Sequence, residues 1–358
     1  MKKNRIFSAL IVILVMILYA PLPLAGQFNI SGTIVVANKT SNDVYFINAS
    51  DGAIRAILPT GIEPHEVEIS PDGQYAVVGN YGNREQPGNS LSVFHIGRRR
   101  LMRTIDLGEH IRPHGIKWLA GTSKVVVTSG LTQSLVVVNV MNGRIVRVID
   151  ALQESPHMVT VSLDGRRLFA TSVRTGNLSV YDFSAGMQEA VLPSGQGAEG
   201  IDIAPDGREI WVTNRAENTI SVFDANTLQK TGSMVSSDFP IRGRFTPDGR
   251  MFLVSNARSG FVTVFDAESK KEIASIKLQP PLPPGEDPDR FFAEFTDTSV
   301  PIGIVAGDNY RAFVANTRAD VVSVICLRRF VILDHFQAGK EPDGIGFSPI
   351  VLRGRRGL

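Results

Sequence analysis

Short apolar runs that close on Asn or Ser punctuate the chain: VVAN ending at Asn38, VVGN at Asn80, VVTS at Ser129, FATS at Ser172, WVTN at Asn214, LVSN at Asn256 and FVAN at Asn316. Successive copies lie 42, 49, 43, 42, 42 and 60 residues apart, near the period of about 40 to 45 residues that one four-stranded propeller blade occupies. No 3.6-residue apolar period follows Gly26. The runs are rich in Val, Ile, Phe, Tyr and Thr, which suit pleated sheet buried on both faces. The pattern predicts an all-β protein built from seven copies of one unit.

The second copy shows the unit's plan. Residues 65–70 read as a first strand, 71–73 as a tight turn, and 75–80, 91–96 and 103–107 as the second, third and fourth strands. Pro71 presets φ for the first central position of a type I turn, Asp72 can bond its own backbone, and Gly73 tolerates the exit geometry, so the chain returns antiparallel. Versions of this turn recur at 162–165, 204–207 and 246–249, whereas the third and seventh units carry Ala120-Gly121-Thr122 and Gly307-Asp308-Asn309 instead. The ends complement each other. The first unit starts at its second strand, Thr33 to Asn38, and the last stretch, PDGIGFSP from Pro342, is a first strand with no second strand after it. Closing the ring by joining the two removes the exposed edges of an open array.

Composition agrees with a folded chain: 358 residues, 43% hydrophobic, with 33 glycines and 20 prolines, enough to bury a large core. The first 26 residues differ in kind. Lys2, Lys3 and Arg5 precede an apolar run over residues 6–20, then Pro21, Pro23, Ala25 and Gly26, the layout of a secretory signal peptide cut near Gly26. An uncleaved anchor is the alternative, although the run falls short of the about 20 residues of a membrane span. The segment holds three of the 37 basic residues and none of the 35 acidic ones, so the remainder carries 34 against 35 and is close to neutral. That balance gives no footing for general nucleic-acid binding. The single cysteine, Cys326, excludes a disulfide framework, zinc-knuckle spacing and covalent haem attachment. Phosphate-loop, dinucleotide-binding and nucleophile-elbow motifs are absent. The expected domains are a leader over 1–26, a propeller over 27–350 and a frayed basic tail over 351–358.

VVAN, WVTN, FVAN, the S-P-D-G turns and the phrase NTISVFDANTLQ at 218–229 resemble the YVTN-repeat family of seven-bladed, YncE-like β-propellers over roughly residues 30 to 350. HEVEISPDGQYAVVGNYGN, at 65–83, is similar to a phrase of lactonase-type seven-bladed propellers. The first resemblance implies the fold. It leaves function open, because propellers host binding modules, enzymes and accessory redox proteins alike.

Candidate chemistry lies where the units differ. In a propeller the first strand of each blade lines the central channel, so the residue after the unit's leading Pro, or Ala198 in the fifth unit, stands near one mouth. Read blade by blade these are Asp343, His65, His114, His157, Glu199, Ile241 and Ile302: five adjacent polar positions facing two apolar ones. Imidazoles and carboxylates gathered there can ligate a divalent transition metal, with His65, His114 and His157 as ligands, or serve as general acid and base on a small molecule. The plain alternative is a wet polar channel in which they bond to water and backbone. Strand parity places His65 with Val67 and Ile69, which would turn it between blades. Arg242 and Arg244 can hold an anion near the mouth or pair with Glu199 or Asp202. Two insertions reach the same face, residues 81–89 and 279–299, the second a candidate lid carrying Phe291, Phe292 and Phe295.

Three functions follow. The first is an exported binding module recognising a small ligand or an envelope protein through its funnel face. The second is a lactonase-like or metal-dependent hydrolase or isomerase using the His/carboxylate arc. The third, implied by the resemblance, is an accessory protein of a periplasmic quinone- or haem-dependent redox system. The residues demand no catalysis, so the binding module is the reading taken. It is expected to be a periplasmic or extracellular monomer that needs no membrane span once the leader is removed and binds no nucleic acid.

Overall fold

The computed structural model describes residues 30–286, 291, 293–295 and 297–354. The predicted leader and Phe292 lie outside the described residues.

The turns fold as their chemistry requires. Asp72 Oδ1 accepts from Ser70 Oγ at 2.5 Å and from the Gln74 N–H at 3.0 Å, while the Gly73 N–H donates to the Ser70 carbonyl at 2.8 Å. Gly73 itself has φ +72°, a conformation open to glycine at little cost. Each such reversal pairs the first strand of a blade with its second, and the described strands assemble into seven four-stranded antiparallel sheets. The inner strands of blades one to seven are Pro342–Ser348, Pro64–Ile69, Pro113–Trp118, Pro156–Val161, Ala198–Ile203, Pro240–Phe245 and Pro301–Ala306. The ring closes as the complementary ends imply. Pro342–Ser348 lies antiparallel beside Thr33–Asn38, with Thr33 opposite Ser348 and Val36 opposite Ile345.

Because every sheet has neighbours on both faces, the core is distributed. Seven apolar clusters each fill the gap between two adjacent blades, such as Val77, Leu91, Ile116 and Val127 between blades two and three. This explains why second and third strands read as continuous apolar runs, while the outer Lys230–Val235 alternates between half-buried and exposed positions.

The terminal Asn of the repeat is a staple. Asn214 is fully buried; its Oδ1 accepts from Ser194 Oγ at 2.8 Å in the link entering the blade, and its Nδ2 donates to Thr219 Oγ1 at 3.0 Å and Ser221 Oγ at 2.9 Å on the third strand. Asn256 and Asn316 repeat the pattern through Ser236 and Thr263, and through Ser299 and Ser323. Where the repeat ends in Ser, the hydroxyl donates to the link carbonyl, Ser129 to Ile111 at 2.7 Å and Ser172 to Glu154 at 2.5 Å, and otherwise meets only the following turn, at the Thr132 hydroxyl and the Thr175 N–H.

Two local expectations change. In blade two the second and third strands run on as Tyr75–Gly82 and Pro87–His95, so the 81–89 insertion lengthens a hairpin instead of forming a loose loop. Beyond the last strand the chain does not fray at once: Leu352 is 2% exposed and packs with Val44, Phe94 and Ile96 between blades one and two.

Replacing Asn214 with Ala removes a partner from the buried Ser194 and Ser221 hydroxyls and from the half-buried Thr219 hydroxyl, and should cost about 2–3 kcal/mol. Asn214→Ser, which the third and fourth blades already use, should cost less. Denaturant unfolding of the two variants checks this, and equal losses would remove the staple's role.

Candidate functional site at the channel mouth

Each inner strand is entered through a kink. The residue before it takes left-handed φ in all seven blades: Glu63 +43°, Arg112 +61°, Ser155 +52°, Gly197 +71°, Phe239 +63°, Val300 +52° and Glu341 +56°. For Val and Phe this conformation is strained. Its sevenfold recurrence marks it as the architecture's way of turning each link from the rim toward the axis. Two residues past the leading Pro or Ala, four blades carry Gly. A Cβ on Gly344 would lie 2.2 Å from the His65 carbonyl oxygen, on Gly115 2.6 Å from that of His157, on Gly200 2.7 Å from that of Ile241, and on Gly303 2.0 Å from that of Asp343. Only glycine lets neighbouring inner strands approach so closely. The other three blades place Glu66, Met158 and Arg242 there.

The structure brings the predicted arc together. The His114 ring lies 3.9 Å from His157 at 33° and 5.3 Å from His65 at 54°, and Tyr81 closes the column, 4.4 Å from His65 and 5.5 Å from His114. His65 therefore faces the mouth, not the interblade gap. A carboxylate holds each end: His65 Nδ1 stands 3.2 Å from Asp343 Oδ2, and His157 Nε2 stands 2.9 Å from Glu199 Oε1. Tyr81 was missed in the sequence because it lies in the insertion read as a loop, although its place one residue past the VVGN run puts it on the mouth face.

Arg242 is buried and committed. Its Nε and Nη2 donate to Glu66 Oε1 at 3.0 and 2.6 Å, and its Nη1 donates to Glu199 Oε1 at 2.8 Å. Blades two and six are thus bridged across the channel, and Arg242 is not free to hold an exogenous anion. Glu199 also pairs with Arg215 at 2.5 Å, and Asp343 with Lys39 at 3.7 Å. Arg244 donates to the Ile201 carbonyl at 3.0 Å, while Asp202 accepts from the Phe245 N–H.

The charges follow from these contacts. Burial pushes the Glu199 carboxyl up, but His157, Arg215 and Arg242 outweigh it and hold the group well below the usual range. Burial acts likewise on Asp343, and Lys39, His65 and Arg242 pull it down to about 2. Burial opposes the charge on Arg242, yet Glu66, Glu199 and Asp343 raise its pKa further. His114 is held far below an ordinary imidazole, first by burial and then by His157, Arg242, His65 and Lys39. Two buried atoms here have no partner among the described residues, His114 Nδ1 and Asp343 Oδ1.

The metal reading finds no support in this geometry. Stacked imidazoles point their in-plane lone pairs side by side, not at one centre, and no group of three or more His, Cys, Asp or Glu among the described residues is placed to hold a metal ion. The opposite half of the mouth is apolar. Ile241, Val300 and Ile302 pack with Phe239, Phe291 and Phe295, so Phe291 and Phe295 of the 279–299 excursion cover that half. Arg258 fixes it, stacking on Phe239 at 4.6 Å and pairing with Glu294 at 3.4 Å, and Arg318 grips Glu286 at 2.6 Å.

Two outcomes follow. Arg242→Met strands the buried Glu66 carboxylate and leaves Glu199 only Arg215 and His157, and should cost about 3–5 kcal/mol, while adding Glu66→Gln should recover part of it; additive losses on unfolding would contradict the bridge. Below pH 6.5, the ordinary imidazole value, an unfolded His114 binds a proton that the folded one refuses, so stability falls as pH falls, by at most about 1.4 kcal/mol per unit from this group. Asp343 and Glu199 have folded values below their unfolded ones, so their contribution holds above about pH 4.5 and falls as pH falls below it, that of Asp343 being lost by about pH 2 and that of Glu199 only at lower pH. Denaturant unfolding from pH 7 to 3 should show His114→Phe flattening the upper segment alone; an unchanged upper slope would show that His114 titrates normally.

Comparison with known proteins agrees with this architecture. No curated protein matches the sequence. Among solved structures, the chain is similar to a functionally unknown protein from Desulfotomaculum acetoxidans, at 12% identity and a TM-score of 0.73, covering 89% of this chain and 99% of that one. It is also similar to a chain of Kuenenia stuttgartiensis hydrazine synthase, at 18% identity and a TM-score of 0.66, covering 86% and 98%. At these identities both likenesses show the fold alone. The YncE-like β-propeller family matches over residues 31–282, most of the seven-bladed ring, and the chain belongs to that family.

Proposed function

We propose that the protein is an exported binding module that takes a small ligand through the polar half of its channel mouth. The observation that carries this reading is the column Tyr81–His65–His114–His157, clamped between Asp343 and Glu199 and leaving His114 Nδ1 and Asp343 Oδ1 buried without partners. Unsatisfied buried polar atoms are costly, and they occur here beside imidazoles that are about one-fifth exposed. A polar groove of about 630 Å³ lies between the links of blades four and five, lined by Arg174, Gln196 and Arg215, the last of which pairs with Glu199. Among the described residues no Ser, Thr or Cys is hydrogen-bonded to the imidazole of His65 or His157, so recognition fits the arrangement better than hydrolysis by a side-chain nucleophile. Export rests on the basic start and apolar run of residues 1–26.

Native mass spectrometry of the protein, incubated with a small-molecule extract of host envelope, tests the proposal. The wild type should retain an added mass that a Tyr81→Ala/His157→Ala variant does not, and its own mass should begin at Gln27. Equal retention by both proteins, or none by either, would overturn the binding reading; a cytosolic full-length chain would overturn export.

A further inference from the structure

The hydrogen-bonding character of the mouth narrows the ligand class, an inference that rests on the binding reading above. A carboxylate can only accept hydrogen bonds. His65 Nδ1 faces Asp343 at 3.2 Å and His157 Nε2 faces Glu199 at 2.9 Å, so a neutral ring at either position keeps its proton on the carboxylate side and turns a lone pair outward: Nε2 of His65 and Nδ1 of His157. The unpartnered Asp343 Oδ1 is a third acceptor. The charges are already matched, since Glu66, Glu199 and Asp343 are opposed by Arg242, Arg215 and Lys39.

A mouth with surplus acceptors whose carboxylates are already ion-paired discriminates by class. An ammonium ligand would stand among Lys39, Arg112 and Arg215, the second of these stacked over Tyr81 at 5.2 Å. An anion would meet two ring lone pairs and a bare carboxylate oxygen, and would need proton uptake to be held. An uncharged molecule bearing several hydroxyls supplies donors without either penalty. We propose that the funnel mouth binds a neutral polyhydroxylated ligand, a sugar or polyol, whose hydroxyls donate to His65 Nε2, His157 Nδ1 and Asp343 Oδ1.

Titration calorimetry on the mature protein with glucose, galactose and myo-inositol, against glucuronate and glucosamine as charged counterparts of the same ring, tests the class. At least one neutral probe should bind about tenfold more tightly than either charged one. His157→Phe keeps the stacked ring but removes the acceptor, and Glu199 retains Arg215 and Arg242. That variant should melt cooperatively yet bind the neutral probe about tenfold more weakly. Tighter binding of glucuronate or glucosamine, or neutral-sugar affinity unaffected by His157→Phe, would overturn the ligand class. If no probe binds while the envelope extract still yields a bound mass, the class fails and the binding module stands.

Discussion

Seven inner strands converging on one axis leave almost no room for side chains, and this crowding governs what the centre of the molecule can hold. Gly344, Gly115, Gly200 and Gly303 answer it directly, because the neighbouring strand's carbonyl occupies the space a Cβ would take. The side chains that do project from the equivalent position are correspondingly consequential. Glu66 and Arg242 meet across the channel, and Arg242 continues to Glu199. Desolvating these groups costs more than a surface pair ever would, and apolar replacements of similar volume are often as stable. The bridge is therefore better understood as a device that fixes which blades face each other and where Glu199 stands than as a source of net stability.

From that fixed point the histidine column acquires its order. Glu199 serves Arg242, Arg215 and His157 at once, and Asp343 serves Lys39 and His65. His114 sits between the two clamped imidazoles with no carboxylate of its own among the described residues, and burial beside cationic neighbours keeps it neutral. A ring held neutral can stack at 3.9 Å on another imidazole, where two charged rings would repel. Packing and protonation are thus one constraint.

The repeat, its turns and the closure of the ring were legible because each is local or periodic: a Pro-Asp-Gly reversal states its geometry in three residues, and an interval near 42 states the blade. The gathering of Asp343, His65, His114, His157 and Glu199 was legible for the same reason, since equivalent positions in a closed ring must converge. What escaped was pairing between blades. Glu66 and Arg242 are 176 residues apart, and no periodicity links a charge in blade two to one in blade six. A signal did exist. Both occupy the position that is Gly in four of the seven blades, and opposite charges breaking the same rule are candidates to meet. Leu352 escaped because the short apolar stretch Ile350-Val351-Leu352 has no counterpart in the repeat, so only the gap between blades one and two reveals where it goes.

The mouth's asymmetry follows from which blades carry which residues. Blades six and seven present Ile241 and Ile302, and an apolar rim invites cover, which the 279–299 excursion supplies through Phe291 and Phe295 packed on Phe239. Blades one to five present ionisable groups whose full coverage by protein would demand a partner for every atom. Among the described residues His114 Nδ1 and Asp343 Oδ1 have none. The half that wants burial is thus covered and the half that wants hydrogen bonds is left with His65 and His157 partly exposed, while Arg242 is buried between Glu66 and Glu199.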